Sequence, residues 1–232
     1  MIFLALALFC ACGRRAPALA PLALSTPVTT PMGGGQGVIV FARMITAPVT
    51  AVSDWDIYTV HVDGTNLQQL TWAPEGDLEP DWSPNGSRIV FRSQRNGGND
   101  LYLMKQDGTN VVRLTSLGDA WSPSWSPDGS RILFTREEAS GWTTNPGSLW
   151  VINVDGSGLA RITSPAGEYD WMPDWSPDGS QIVFSRGPGT SWSIYVANAD
   201  GSGATKVSTS WGDTMPRWSP DGSRIVFHSG RS

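Results

Sequence analysis

The chain has 232 residues, 40 % of them hydrophobic and only 16 % charged, and its 16 Lys and Arg against 21 Asp and Glu leave a net charge of −5. An acidic balance of this kind argues against a nucleic-acid partner, whose binders usually carry a basic surplus. The 26 Gly, 17 Pro and 12 Trp interrupt helices often and favour many short strands joined by tight turns.

Residues 1–12, MIFLALALFCAC, form an apolar run too short to span a bilayer. Followed by Gly13-Arg14-Arg15, the run reads as an export signal of the lipoprotein type. In that pattern small residues precede a Cys that is lipidated and becomes the new N-terminus. Cys12, between Ala11 and Gly13, is the candidate. Two features depart from the pattern: no Lys or Arg precedes the run, and Phe9 lies three positions upstream of Cys12. Residues 13–36 are rich in Ala, Pro, Thr and Gly and show no apolar period, which predicts a flexible tether. The only cysteines are Cys10 and Cys12, so residues 37–232 hold neither a disulfide framework nor a thiolate metal site.

From residue 37 onward the chain repeats itself. GVIVF (37–41) reads as a strand that lacks its predecessor. Then DWSPNGSRIVF (81–91) recurs as SWSPDGSRILF (124–134), DWSPDGSQIVF (174–184) and RWSPDGSRIVF (217–227). Between these lies a second element, IYTVHVDGTNLQQLT (57–71), which returns at 101–115, 149–163 and 194–208. Each unit parses into four strands. Strand A ends at the Trp, and Ser-Pro-Asp-Gly makes a hairpin turn in which Pro fixes φ and Gly supplies positive φ. Strand B is Arg-Ile-Val-Phe or a variant, and strand C carries Tyr58, Tyr102, Trp150 or Tyr195. An Asp-Gly turn leads to strand D, which ends in Leu-Thr or a variant. Four short antiparallel strands recurring at a period of this length describe the blade of an all-β propeller.

The repeat resembles the TolB-type, WD40-like propeller family, whose signature is a strand-end Leu-Thr followed by Pro-x-Trp-Ser-Pro-Asp-Gly and Ile-x-Phe. The resemblance covers 37–232 and implies a β-propeller of four-stranded antiparallel blades. Such repeats occur in a periplasmic partner-binding protein, in propellers attached to peptidases and in many envelope proteins, so the family implies the fold more sharply than the activity. It usually has six blades, whereas this chain carries about four blades' worth of repeats. Three outcomes stand open: a ring of four closed by the C-terminal strand A joining the N-terminal blade, an open arc, or a truncated propeller. An open arc predicts self-association through its unpaired edges.

Strand direction sorts the loops onto two faces. The A–B and C–D turns lie at one end, called the bottom, and are tight and repeated. The D–A and B–C connections lie at the top, and they are longer and variable. Variation on one face of a repeat scaffold is where binding usually sits. Seven Trp outside the repeat motifs fall in or beside top connections, among them Trp72, Trp121, Trp171 and Trp211. They predict either packing between blades or an aromatic surface for a polypeptide or sugar. Asp77, Asp170 and Asp213 each precede the strand A Pro by three residues, with Asp119 shifted by one. They predict either bonds to backbone N–H groups where the chain turns inward or an acidic ring. The Asp residues of the bottom turns, such as Asp128 and Asp178, are expected to be turn formers.

Several chemistries lack their motifs. No Gly-x-Ser-x-Gly elbow supplies a hydrolase nucleophile, and the two histidines, His61 and His228, cannot build a three-His metal site. No phosphate-cradling loop precedes a helix. The expectation is therefore a non-catalytic module with no cofactor and no metal. It would be exported to the periplasm or tethered to the cell envelope as a lipoprotein, and it would bind a protein or glycan through its top face. The alternatives are a propeller lyase or hydrolase using top-face carboxylates or a bound cation, and a detached propeller of a larger peptidase-like protein.

Overall fold

The computed structural model describes residues 37–45, 54–137, 147–165, 167–189, 191–209 and 212–230. Cys12, the tether and Trp211 lie outside the described residues. Within the described residues the chain folds into strands alone, arranged in five antiparallel sheets. The first contains β1 (Val38–Ile45), β2 (Asp54–His61) and β3 (Gln68–Gln69). The second contains β4 (Asp77–Trp82), β5 (Arg88–Ser93), β6 (Asp100–Lys105) and β7 (Val112–Arg113). The third runs through β8 (Ala120–Trp125), β9 (Arg131–Arg136), β10 (Ser148–Asn153) and β11 (Ala160–Arg161). The fourth runs through β12 (Tyr169–Trp175), β13 (Gln181–Gly187), β14 (Ser193–Asn198) and β15 (Thr205–Lys206). The fifth has only β16 (Asp213–Trp218) and β17 (Ile225–Ser229).

The blade order is the one read from the repeat. Strands A (β4, β8, β12, β16) all end at the motif Trp, and each complete blade pairs A-B-C-D in succession. β1 is a strand B without a strand A beside it. The fifth sheet packs on the fourth and makes no contact with β1–β3, so the described residues form an open arc. The four-blade closure through β16 is not formed among them.

The hairpin motif explains itself residue by residue. Asp128 Oδ1 accepts from Ser126 Oγ at 2.6 Å and from Ser130 N–H at 3.0 Å. Ser126 Oγ in turn accepts the first strand B amide, Arg131 N–H, at 2.9 Å. Asp178 and Asp221 repeat the arrangement, and Asn85 substitutes for them in the second blade. Three acceptances hold the Asp178 and Asp221 carboxyls down at about 2. These residues are turn formers, as their spacing predicts.

The strand D ending Leu-Thr has an equally local cause. Each terminal hydroxyl reaches back to a strand C amide 14 residues earlier: Thr71 Oγ1 accepts from Ile57 N–H, Thr115 from Leu101, Thr163 from Leu149 and Ser208 Oγ from Ile194, each at 2.9 Å. A buried amide that the ladder leaves unpaired is thereby satisfied. Thr115→Val is therefore expected to destabilise by about 1–3 kcal/mol, a loss measurable in urea.

The core lies between blades. Alternate strand B residues face opposite neighbours, so Ile132 and Phe134 join Val90, Leu101 and Leu103 of the blade before, while Leu133 joins Trp175, Ile182 and Phe184 of the blade after. A strand covered on both faces reads as an unbroken apolar run. At the end of the arc the same residue types lose one neighbour, and Val226 is 67 % exposed.

Candidate functional site

The innermost strands carry a shared irregularity. Register with strand B shifts between Leu78 and Asp81, Trp121 and Ser124, Trp171 and Asp174, and Thr214 and Arg217. At each bulge the residue before Pro takes positive φ: Glu79 (53°), Ser122 (49°), Met172 (53°) and Met215 (57°). Left-handed backbone in a non-Gly residue costs on the order of 1–3 kcal/mol and persists only where its surroundings enforce it. The bulge separates an upper level of side chains from a lower one.

At the upper level Asp77, Asp119, Asp170 and Asp213 each meet a donor side chain. Arg95 Nη2 donates to both oxygens of Asp77 at 2.9 and 2.8 Å, and Arg186 makes a bidentate pair with Asp170 at 2.6 and 2.8 Å. Arg136 Nε donates to Asp119 at 3.0 Å, and Ser229 Oγ donates to Asp213 at 2.6 Å. Asp77, Asp170 and Asp213 are fully buried. These partners are side chains of strand B and of the residues just after it.

The upper tryptophans divide. Trp121 and Trp171 are half-buried and tilt against one another, with centroids 5.7 Å apart, and the Arg92 guanidinium lies 4.3 Å above the Trp121 ring. Glu79 holds that Arg at 3.2 Å and also accepts from Ser122 N–H of the next blade at 2.7 Å. Trp72 has no such packing and is 71 % exposed.

The lower level was not singled out by the sequence reading. The residue before each Trp-Ser-Pro is Asp81, Ser124, Asp174 or Arg217, and all four line one cleft of about 190 Å³. It opens among the A–B turns, with Pro84, Pro177 and Pro220 at its rim. The neighbouring Pro, Trp and Ser positions are the same in every blade, whereas this one takes three residue types across the four. Asp81 Oδ2 accepts from Trp125 N–H and Asp174 Oδ2 from Trp218 N–H, both at 2.8 Å, so each acid latches the following strand A. Ser124 Oγ donates to Asp174 Oδ1 at 3.2 Å. Arg217 Nη1 turns to the carbonyls of Pro173 and Pro216 at 3.3 and 3.4 Å. Among the described residues neither acid has an ion-pair partner.

Electrostatics marks the same pair. Burial raises the Asp81 carboxyl to about 6, against the pull of the Trp125 amide and of Arg217. Asp174 is also raised, again chiefly by burial. For Asp81 the folded chain thus holds a proton that the unfolded chain has released between about pH 4 and 6, so stability falls as pH rises through that window. Asp81→Asn keeps an acceptor for Trp125 and removes the charge. The melting temperature of the variant minus that of the wild type is expected to grow between pH 4 and 6.5. A difference flat with pH would mean the carboxylate is ordinarily solvated.

The family model for the TolB β-propeller domain matches residues 42–164, more than half of the chain. The chain belongs to the TolB β-propeller family. Over 125 residues it is 35 % identical to the Tol-Pal system protein TolB of Anaeromyxobacter dehalogenans, a match covering 54 % of this chain and 28 % of that relative. The match therefore spans well under half the length of the curated relative. Among solved structures, TolB from Acinetobacter baumannii superposes with a TM-score of 0.69 at 21 % identity, over 83 % of this chain and 48 % of that one. An oligogalacturonate lyase in complex with manganese shares the architecture at a TM-score of 0.56 and 18 % identity, over 76 % of this chain and 51 % of its own. At these identities the superpositions show the fold alone. The fold is thus common to binding and catalytic proteins, and the side chains of this chain must decide between them.

Proposed function

We propose that this TolB-type propeller is a non-catalytic polypeptide-binding module of the bacterial cell envelope, exported and held there through the leader and Cys12. The axial cleft carries the reading. Asp81 and Asp174 stay in it at a cost to stability, in a motif whose other positions repeat. A charged pair kept where burial disfavours it is a functional candidate with a physical reason. Two acids, a Ser and an Arg offer acceptors and donors at the arc axis, which suits an extended chain with a basic side chain. The Tol-Pal membership of the curated relatives supports an envelope role.

A second contact area is favoured by one observation, the exposure of Trp72 on a top connection. Trp171, half-buried, then contributes to it, and a glycan is the other ligand class suited to such an aromatic surface. The two areas are separated by capture from a bacterial envelope extract. Asp81→Asn with Asp174→Asn is expected to lose the captured polypeptide while melting no lower than wild type, and Trp72→Ala is expected to retain it. The reverse outcome assigns binding to the top connections. Retention by both variants would sink the reading.

A further inference from the structure

We propose that two copies of this chain pair edge to edge through β1, antiparallel about a two-fold axis. In the three complete blades strand B is flanked by A and C; β1 has β2 on one side and no strand on the other among the described residues. The β1–β2 register runs through eight consecutive pairs without a shift. Val62 N–H donates to Gly37 O at 2.7 Å, which sets the alternation. Ile39, Phe41 and Arg43 bond toward β2, so Val38, Val40, Ala42 and Met44 turn their N–H and C=O groups to the free edge.

Edges are normally blunted by shortness, charge, Pro or a bulge. β1 reads VIVFARMI, is eight residues long, has no Pro and no bulge, and carries Arg43 as its one charge. Its outward face exposes Ile39 (49 %), and Phe41 stacks on Tyr58 beside it at 6.0 Å. The corresponding Ile89, Phe91 and Tyr102 of the next blade are buried by a neighbouring sheet.

The other described strands are poor occupants. β16 and β17 do not reach β1. Residues 14–36 carry Pro17, Pro21, Pro27 and Pro31, and Pro cannot donate to a ladder. A second β1 is apolar, unbroken and carries the same outward-turned N–H and C=O groups. Pairing would continue β1–β2–β3 into a six-stranded sheet across the axis, and a two-fold contact closes at two copies.

The test is sedimentation of the full chain over a range of concentrations, with melting recorded for every variant. Wild type is expected to run as a dimer. Ala42→Pro removes an edge-facing N–H and no bond to β2, and is expected to weaken the dimer by roughly tenfold or more while the chain still unfolds in one cooperative transition, lower in temperature only by what the lost association accounts for. Ile39→Lys provides a second, side-chain route to the same result should the Pro variant fail to fold. Cys12→Ser is expected to leave the dimer intact, and its loss there would assign association to the lipid. A monomeric wild type, assemblies growing beyond two, or folded variants of both kinds that remain dimeric would each overturn the proposal.

Discussion

Replacing Gly201 by Ala is expected to destabilise the chain by roughly 3–5 kcal/mol, among the largest effects available to a single methyl group. The residue ends the Asp-Gly turn between strands C and D, at φ +83°. Two terms add. An L side chain at that φ costs about 1–2 kcal/mol by itself. In addition the new Cβ would overlap the carbonyl oxygen of Ile162, in the preceding blade. The same turn occurs four times with different neighbours, which separates the terms. Gly108 would place its Cβ 2.7 Å from Leu70 O, Gly156 4.0 Å from Leu114 O, and Gly64 has nothing within 4 Å because no blade precedes its own among the described residues. Thermal melting should therefore order the Ala variants with Gly201 and Gly108 far below wild type and Gly156 and Gly64 close together and mildly affected. Equal losses at all four would mean that turn conformation alone matters and blade contact does not.

The second large effect is expected at Trp175. Its side chain is 1 % exposed, packs with Leu133, Leu149 and Phe184, and has the Arg131 guanidinium 5.1 Å above its ring. Trp175→Ala removes that surface and leaves a void between two sheets that cannot collapse without losing their register, so a loss of roughly 3–5 kcal/mol is expected. For a chain of this size that lowers the melting temperature by roughly 10 °C. Trp125, 5 % exposed, should behave alike. Trp218 holds the same motif position in the two-stranded fifth sheet and is only half-buried, so its Ala variant should lose less. A Trp175 variant melting within a few degrees of wild type would mean the blades are held elsewhere.

What could be read from the sequence depended on whether its cause was local. The hairpin residues Ser126, Asp128 and Gly129 act within a few positions of one another, so their spacing carried the turn and the end of strand A. Strand C and Leu-Thr were equally plain, although the reason for the Thr, a bond to an amide 14 residues away, was not. The bulges were missed. A signal for them existed: Pro80, Pro123, Pro173 and Pro216 stand inside strands, where Pro implies an irregularity. Asp77, Asp119 and Asp170 meet Arg partners 16 to 18 residues away across a shifted register, which spacing alone does not reveal. Asp81 and Asp174 were overlooked because attention to what repeats hides the position that does not. Comparing repeats for the residue at which they disagree would have found Asp81, Ser124, Asp174 and Arg217 together.

The outermost strands β3, β7, β11 and β15 are only two residues long. A visiting strand laid against any of them would find too few amides and carbonyls to hold register, whatever its sequence. The circumference of the arc is thus shielded by brevity, with Arg113, Arg161 and Lys206 adding a charge to three of the four strands. Val112, Leu159 and Val207 can therefore stand exposed at or beside this rim without offering a partner strand a long apolar edge. Lengthening a single rim strand by a few β-branched residues should convert an inert border into an adhesive one.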